Sequence, residues 1–446
     1  VAAGACDQEV TFMVDDDTRV GLDGVEVCFD DERLVTDAGV ALAATLAGRL
    51  GIEALIGETV RLGVAGAASR AGRKVMALVY AMLLGADSID DCDVLRAGRV
   101  GRLLGGWMPA PSTLGTFLRA FTFGHVRQLD RVLAECLTRA WALGAGPGDQ
   151  RLTIDVDSFV GETHGYQKQG ASFGYTRKRG YHPLLASRAE SAEVLHVRFR
   201  KGAANTQRGI ERFIDELIAR VTRAGATGVK LLRADSGFWN AKVFERLELA
   251  GWQYSISIRM INAVATAVAG IEESAWQPIE NYPDGGEAQI AETIYGGRRL
   301  LVRRTRLTGA QAELWPDWRH HPFLTNRTEP IAIVEAEHRQ HARVELVIRD
   351  LKDQALAHFP SGKFDANAAW TVIGCLAHNL TRWTELLGNT GSVIRTARTI
   401  RRRLLQIPGR LTRHAGRWTL HLPARWPWQT DFTQALTRIR ALPASA

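Results

Sequence analysis

The chain has 446 residues, 46% of them hydrophobic, with a formal net charge of +8 and a pI near 9.4. That length suits roughly two to four domains with sizeable cores, and the basic surplus fits a polyanionic partner. The cysteines Cys6, Cys28, Cys92, Cys136 and Cys375 form no CxxC pair and are odd in number, which argues against a zinc finger and a disulfide scaffold.

Residues 1–33 read as a short, strand-rich lead with many Asp residues. Val1 to Val10 is neither basic nor apolar enough for a secretory leader. No stretch of roughly 18 or more apolar residues follows, so no membrane span is expected and the chain reads as cytoplasmic. From Leu34 to about Leu143 the pattern is helical, as in Val75, Leu78, Val79 and Leu83. Ser112 is placed to cap a helix running to Phe121, and its small polar residues with Arg119 would suit a DNA groove; a plain bundle helix fits equally. Gly144 to Gly148 is the clearest linker.

Beyond the linker, strands are predicted over Leu152–Val156, Val194–Phe199 and Val229–Leu232, with an amphipathic helix over Gly209–Ala224. This alternation is α/β. Between Trp252 and Asn326 the pattern is mainly β, with candidates at Tyr254–Arg259, Ala291–Tyr295, Arg299–Arg304 and Phe323–Thr325. Helices return over about Val334–Lys352 and Ala366–Leu387. From Arg395 onward there are eleven Arg and one acid, Asp431.

Three carboxylate motifs stand far apart: Asp155-Val156-Asp157-Ser158, Arg233-Ala234-Asp235-Ser236-Gly237, and Glu345 on a helix that also carries Lys352. On a strand, Asp155 and Asp157 share one face. Asp235 falls just past a strand's C-terminal end, where α/β folds place ligands. At about 100° per residue, His338, His341, Glu345, Ile348, Arg349 and Lys352 fall on one helical stripe. Three converging acids in a basic protein point to a divalent-metal site working on phosphates, because hard oxygen ligands suit Mg²⁺. Each also has a structural reading: a solvated strand end or turn cap, a helix N-cap for Asp235, and an i,i+4 ion pair between Glu345 and Arg349. Between the first two motifs, residues 165–182 interleave glycines, aromatics and the cations Lys168, Arg177, Lys178 and Arg179, a composition suited to phosphates and bases or to a solvated hairpin edge. Of Trp239, Trp252, Trp315 and Trp318, an exposed one beside a metal site could hold an unpaired base, although tryptophan more often belongs to a core.

The spacing His338-x2-His341-x3-Glu345-x6-Lys352 resembles the Y-x2-R-x3-E-x6-K signature of bacterial insertion-sequence DDE transposases. Asp155-Val-Asp-Ser, Tyr166-Gln-Lys-Gln-Gly, Tyr181-His-Pro-Leu-Leu-Ala, Arg233-Ala-Asp-Ser-Gly-Phe and Pro360-Ser-Gly-Lys-Phe-x-Ala-Asn-Ala-Ala-Trp resemble the IS-thirteen-eighty group within that class. The resemblance runs from about Val35 to Trp428. It implies an RNase H-like core over residues 149–251 and 331–390 with a β-rich insertion over 252–330, a helical DNA-binding and assembly region over 1–148, and a basic C-terminal region over 391–446. It implies a cut-and-paste transposase in which Asp157, Asp235 and Glu345 hold two Mg²⁺ ions, replaceable by Mn²⁺, with Asp155 the alternative to Asp157. Lys352, His338, His341, Arg349, Lys168, Arg177, Lys178, Arg179 and Arg119 would meet DNA. The implied partners are terminal inverted repeats and target DNA, engaged by a homodimer in the bacterial nucleoid, without a nucleotide cofactor. The signature Tyr and Arg positions hold His338 and His341, and neutral histidine lacks the two-pronged phosphate grip of arginine. A DNA-binding relic or recruited regulator, or a nuclease that cuts without joining, are the rival readings.

Overall fold

A computed structural model describes residues 23, 25–174, 177–280, 282, 286–307, 317–389 and 394–444. Most of the lead expected over residues 1–33 lies outside them, as do Cys6 and Trp315. Residues Arg33–Ala446 form one compact unit.

The N-terminal part of that unit, to about Ala145, is helical, as the periodicity requires. Its main helices are α1 (Val40–Arg49), α2 (Ile52–Thr59), α3 (Ala71–Leu83), α4 (Pro111–Arg119) and α5 (Phe123–Ala140). The α4 start differs from expectation: Pro111 takes the first helical position and Ala110 the cap, so Ser112 lies inside the helix. Proline is preorganised for that position and its missing N–H costs nothing there. Leu114, Phe117 and Leu118 of α4 are buried, as a bundle helix demands.

The strands β1 (Leu152–Ser158), β2 (Leu184–Arg188), β3 (Val194–Arg198), β4 (Lys230–Ala234), β5 (Gln253–Ser257), β6 (Gln277–Pro278), β7 (Gly286–Tyr295), β8 (Arg298–Leu307) and β9 (Arg319–Thr325) share one sheet in the order β6-β7-β8-β9-β5-β4-β1-β2-β3. Strands β1, β4 and β5 run parallel, while β2 and β3 pair antiparallel. That mixed order is the RNase H-like arrangement the resemblance implies. Helices α6 (Ile210–Ala224) and α7 (Ala241–Leu249) supply the crossovers between the parallel strands. The β-rich insertion continues the core sheet, because β9 pairs with β5. Its central hairpin turns at Gly296-Gly297, both at positive φ, where glycine carries no steric penalty. Strand β2 and a helix over Asn262–Ala269 were not anticipated.

The single helix expected over about Val334–Lys352 is segmented. It comprises α8 (Ile331–Arg339), a 3₁₀ turn at Gln340–Ala342, α9 (Arg343–Leu351) and a π turn at Lys352–Leu356. The unit is threaded by α10 (Phe364–Gly388), which is buried on nearly every side and packs on α3, α5 and α11 (Gln429–Ala441). A helix wrapped all round must lose almost all polar solvation, and Trp370 and Trp383 are fully buried. The basic tail also forms a hairpin, Gly409–His414 with Arg417–His421.

Candidate active site

The register between β1 and β4 aligns the first two acidic motifs. Asp155 lies beside Arg233 and Val156 beside Ala234, so Asp157 and Asp235 emerge together one step beyond the last paired residues. These are the C-terminal ends of two central parallel strands.

The two aspartates of the first motif have different surroundings. Asp155 is 1% exposed and held by a two-pronged Arg233 contact, Nε to Oδ1 at 2.7 Å and Nη2 to Oδ2 at 2.8 Å. His341 Nδ1 approaches Asp155 Oδ1 at 3.1 Å. Buried charge is tolerated only when so fully paired, and both oxygens of Asp155 are committed. Asp157 accepts one backbone hydrogen bond, from Ser158 N at 2.6 Å. Burial pushes its carboxyl up to about 6; the Ser158 amide and His341 oppose the shift, and Asp235 and Glu345 reinforce it. Asp157 therefore feels the charge of both other acids.

Asp235 is exposed and its Oδ1 accepts from Gly237 N at 2.9 Å, so it does cap the turn at Ser236–Phe238. A Cβ at Gly237 would meet Asp235 Oδ1 and Thr206 at 3.0 Å, which is why glycine suits that close approach. Glu345 is exposed in the first turn of α9, where the helix dipole favours a carboxylate. No Arg or Lys ion pair forms with Asp157, Asp235 or Glu345 among the described residues. Hard oxygen donors left without counter-cations are the chemistry of a divalent-metal site.

Around them sits a pair whose role the sequence reading missed. His182 Nδ1 donates to Ala204 O at 2.6 Å, which leaves Nε2 to accept from Ser158 Oγ at 3.0 Å. Burial keeps His182 below its usual pKa, so the neutral ring fixes Ser158, whose amide in turn holds Asp157. Tyr181-His182 was legible only as a motif.

The expected DNA-contacting residues divide. Lys352 is exposed as a residue, but its ammonium, 5.8 Å over the Phe159 ring, is partly desolvated, which with Lys178 pulls it below its usual pKa. Lys178 pairs with Glu162 at 3.0 Å. Arg349 is exposed at a cavity of about 310 Å³ between α9 and β1–β2. Arg177 is exposed in a positive-φ turn. Arg119 is exposed at the end of α4 and donates to Thr116 Oγ1 at 3.2 Å.

Four others are already engaged within the protein. His338 has its nitrogens at 2.7 and 3.1 Å from the Ser255 and Ser257 hydroxyls and stacks on Phe323 at 4.1 Å; burial takes its pKa down to about 3, so it is a neutral spacer rather than a phosphate-binding cation. His341 faces Asp155. Lys168 donates to Phe359 O. Arg179 donates to Gly165 O and Tyr166 O, folding back on its own loop. Trp252 is buried, while Trp318 is half-buried with Arg304 and Arg306 within 4.6 Å of its ring.

The sequence pattern of the family described as Transposase DDE domain group 1 matches residues 18–444. The fold and its three bare acids thus meet a sequence match over nearly the whole chain, and the chain belongs to this DDE transposase family. Among solved structures it is similar to a piggyBac transposase synaptic complex with hairpin DNA, at 12% identity and a TM-score of 0.47, covering 83% of this chain and 80% of that one. No curated protein matches. No single described helix is long and apolar enough to cross a membrane.

Proposed function

We propose that this DNA transposase works by cut-and-paste, with Asp157, Asp235 and Glu345 as its catalytic carboxylates. The observation carrying this reading is the β1–β4 register, which brings Asp157 and Asp235 out side by side at two strand ends, with no Arg or Lys ion pair to them or to Glu345 among the described residues. Two Mg²⁺ ions, or Mn²⁺, would be held by these three side chains. Bound there, such ions activate a water or a DNA 3′-OH and take up charge on the leaving oxygen. The pairing of Asp155 with Arg233 and His341 supports Asp157 over Asp155 as the ligand.

The protein's own groups orient the substrate. The exposed cations Lys352, Lys178, Arg177 and Arg349 would hold backbone phosphates. A second basic surface lies where the tail hairpin meets the N-terminal helices: Arg99, Arg102 and Arg413 approach the exposed Trp418 ring at 5.7, 6.0 and 5.4 Å. With Arg417 it would bind duplex at the element's terminal inverted repeats. A homodimer would hold two ends, with no nucleotide cofactor, in the bacterial nucleoid.

The test is cleavage and strand transfer on labelled duplex carrying the element's end, with Mg²⁺, Mn²⁺ or EDTA, comparing wild type with Asp235→Asn. Metal-dependent nicking and joining by wild type alone would support the proposal. Cutting without joining would leave a nuclease; salt-sensitive binding with no cutting would leave a DNA-binding relic.

A further inference from the structure

Beneath the three bare acids lies a second trio in matching register. Asp155 precedes Asp157 by two residues on β1, and Arg233 precedes Asp235 by two on β4. His341 precedes Glu345 by four, in the 3₁₀ turn that leads into α9. Strand alternation puts Asp155 and Arg233 on the same faces as their acids, and the 3₁₀ turn directs His341 inward onto Asp155. The contacts run through Arg233. Its Nε and Nη2 grip Asp155 at 2.7 and 2.8 Å. Its Nη1 also donates to Glu337 O, and Nη2 lies 3.4 Å from Gln340 O. Those carbonyls end α8 and open the 3₁₀ turn leading into α9, where a helix leaves acceptors unsatisfied and its dipole favours a cation. His341 closes the circuit on Asp155 at 3.1 Å. One buried guanidinium thus ties β1, β4 and the approach to α9, the three elements that carry Asp157, Asp235 and Glu345.

We infer that Asp155, Arg233 and His341 form a positioning triad that sets the spacing of Asp157, Asp235 and Glu345, and through it their affinity for divalent metal. The inference rests on the proposed role of those acids. None of the three touches substrate; they act through the carboxylates beyond them. The segmented helix gives the tether its purpose. Because the 3₁₀ turn breaks the rigid α-helical path between α8 and α9, the placement of Glu345 needs an anchor, and Arg233 provides it.

The decisive variant is the full chain with Asp155→Leu and Arg233→Met together. Exchanging a buried ion pair for apolar side chains of similar volume commonly preserves folding. It nevertheless removes the tether to Glu337 and Gln340. Mn²⁺ binding is read by the electron paramagnetic resonance of free Mn²⁺, alongside duplex affinity and single-turnover cleavage. The expected result is Mn²⁺ affinity weaker by about tenfold or more, as for other residues that orient metal ligands. Cleavage should fall by about 100-fold, the cost of an ångström of misplacement, with duplex affinity kept within about threefold. A folded double variant with wild-type Mn²⁺ affinity and cleavage overturns the inference. Should that variant not fold, Arg233→Lys decides it, since lysine keeps the charge but not the fork; the same split between metal and DNA affinity supports the inference, and its absence overturns it. At the third position, His341→Asn keeps a donor near Nδ1 and should retain more Mn²⁺ affinity than His341→Leu; equal loss removes His341 from the triad. If wild type binds no Mn²⁺, or Asp235→Asn binds it unchanged, the carboxylate reading itself fails and the inference with it.

Discussion

Two acidic clusters in this protein have opposite surroundings. Asp130, His196 and Glu216 offer ligand atoms all within 4.8 Å of one another. Arginines saturate them: Arg220 lies 2.5 Å from Asp130, and Arg127 reaches Asp130 at 2.8 Å and Glu216 at 2.9 Å. Arg212 meets Glu216 at 3.0 Å and Arg198 pairs with it too. Burial alone would raise Glu216, yet His196, Arg198 and Arg127 hold it well below the usual carboxylate range. Burial takes His196 down to about 4. Asp157, Asp235 and Glu345 have no such cations, and Asp157 is pushed up instead. The compact donors are thus already neutralised by arginines, whereas the charge of Asp157, Asp235 and Glu345 is not. The first cluster ties α5, β3 and α6 together, and the second carries no such ties.

The sharpest way to break this contrast is to exchange the roles by mutation. Asp235→Asn or Glu345→Gln should lower end cleavage by about 1000-fold or more, because a ligand to the charge-stabilising ions is lost. Duplex affinity, measured by fluorescence anisotropy, should change little. Glu216→Gln should spare Mn²⁺ binding and lower the melting temperature. The reverse pattern would move the metal site to the arginine-covered cluster.

The next effect is on stability. Asp130→Ala strands the buried guanidinium of Arg220 and should cost about 3 kcal/mol in urea unfolding, with Mn²⁺ affinity intact. A cost near zero would mean that solvent already reaches the cluster.

A smaller effect of opposite sign separates the two clusters again. Because Asp157 has a folded-state pKa above its ordinary 3.8, it binds its proton more tightly when folded. Its stabilising contribution is full below about pH 4 and is lost as pH rises through about 6. Metal-free Asp157→Asn should therefore be more stable than wild type by about 1–2 kcal/mol at pH 7.5. The gain should vanish near pH 4, and Mg²⁺ should erase it by stabilising the wild type alone. A destabilised Asp157→Asn at pH 7.5 would mean its charge is compensated by a group the geometry does not reveal.

How much of this was legible beforehand follows from the range of each interaction. The helices, the strands β1 and β4 and the three acidic motifs come from local periodicity and composition, which a sequence carries directly. Strand β2 was missed because Leu184–Arg188 is buried and shows no alternation. The choice between Asp155 and Asp157 stayed open because it depends on strand register. Only the alignment of Asp155 with Arg233 reveals that one aspartate is already paired. His338 and His341 lay on the expected stripe, but a smooth helix was assumed. The 3₁₀ turn at Gln340–Ala342 and contacts from β5 and β1 turn them inward. Lys168 and Arg179 read as free cations because a sequence cannot show which backbone carbonyls a loop brings back to them.

The tail hairpin and the N-terminal arginines beside it provide the positive counterpart of the bare acids and the smallest effect per residue. Arg99, Arg102 and Arg413 gather about Trp418 with no ion pair of their own among the described residues. Such crowding of like charge is relieved when phosphates arrive and release their counterions, and each phosphate contact adds about 0.9 to the salt slope. The triple variant Arg102→Gln, Arg413→Gln, Arg417→Gln should reduce the slope of log K against log salt by about 2–3, with Mn²⁺ affinity untouched. Trp418→Leu alone removes the ring that gathers the guanidiniums but none of the charge. It should leave the slope nearly unchanged and weaken duplex binding by about threefold, the worth of an exposed cation–π contact. A full loss of slope from Trp418→Leu would mean instead that the ring folds the hairpin, and circular dichroism of the same variant would show it.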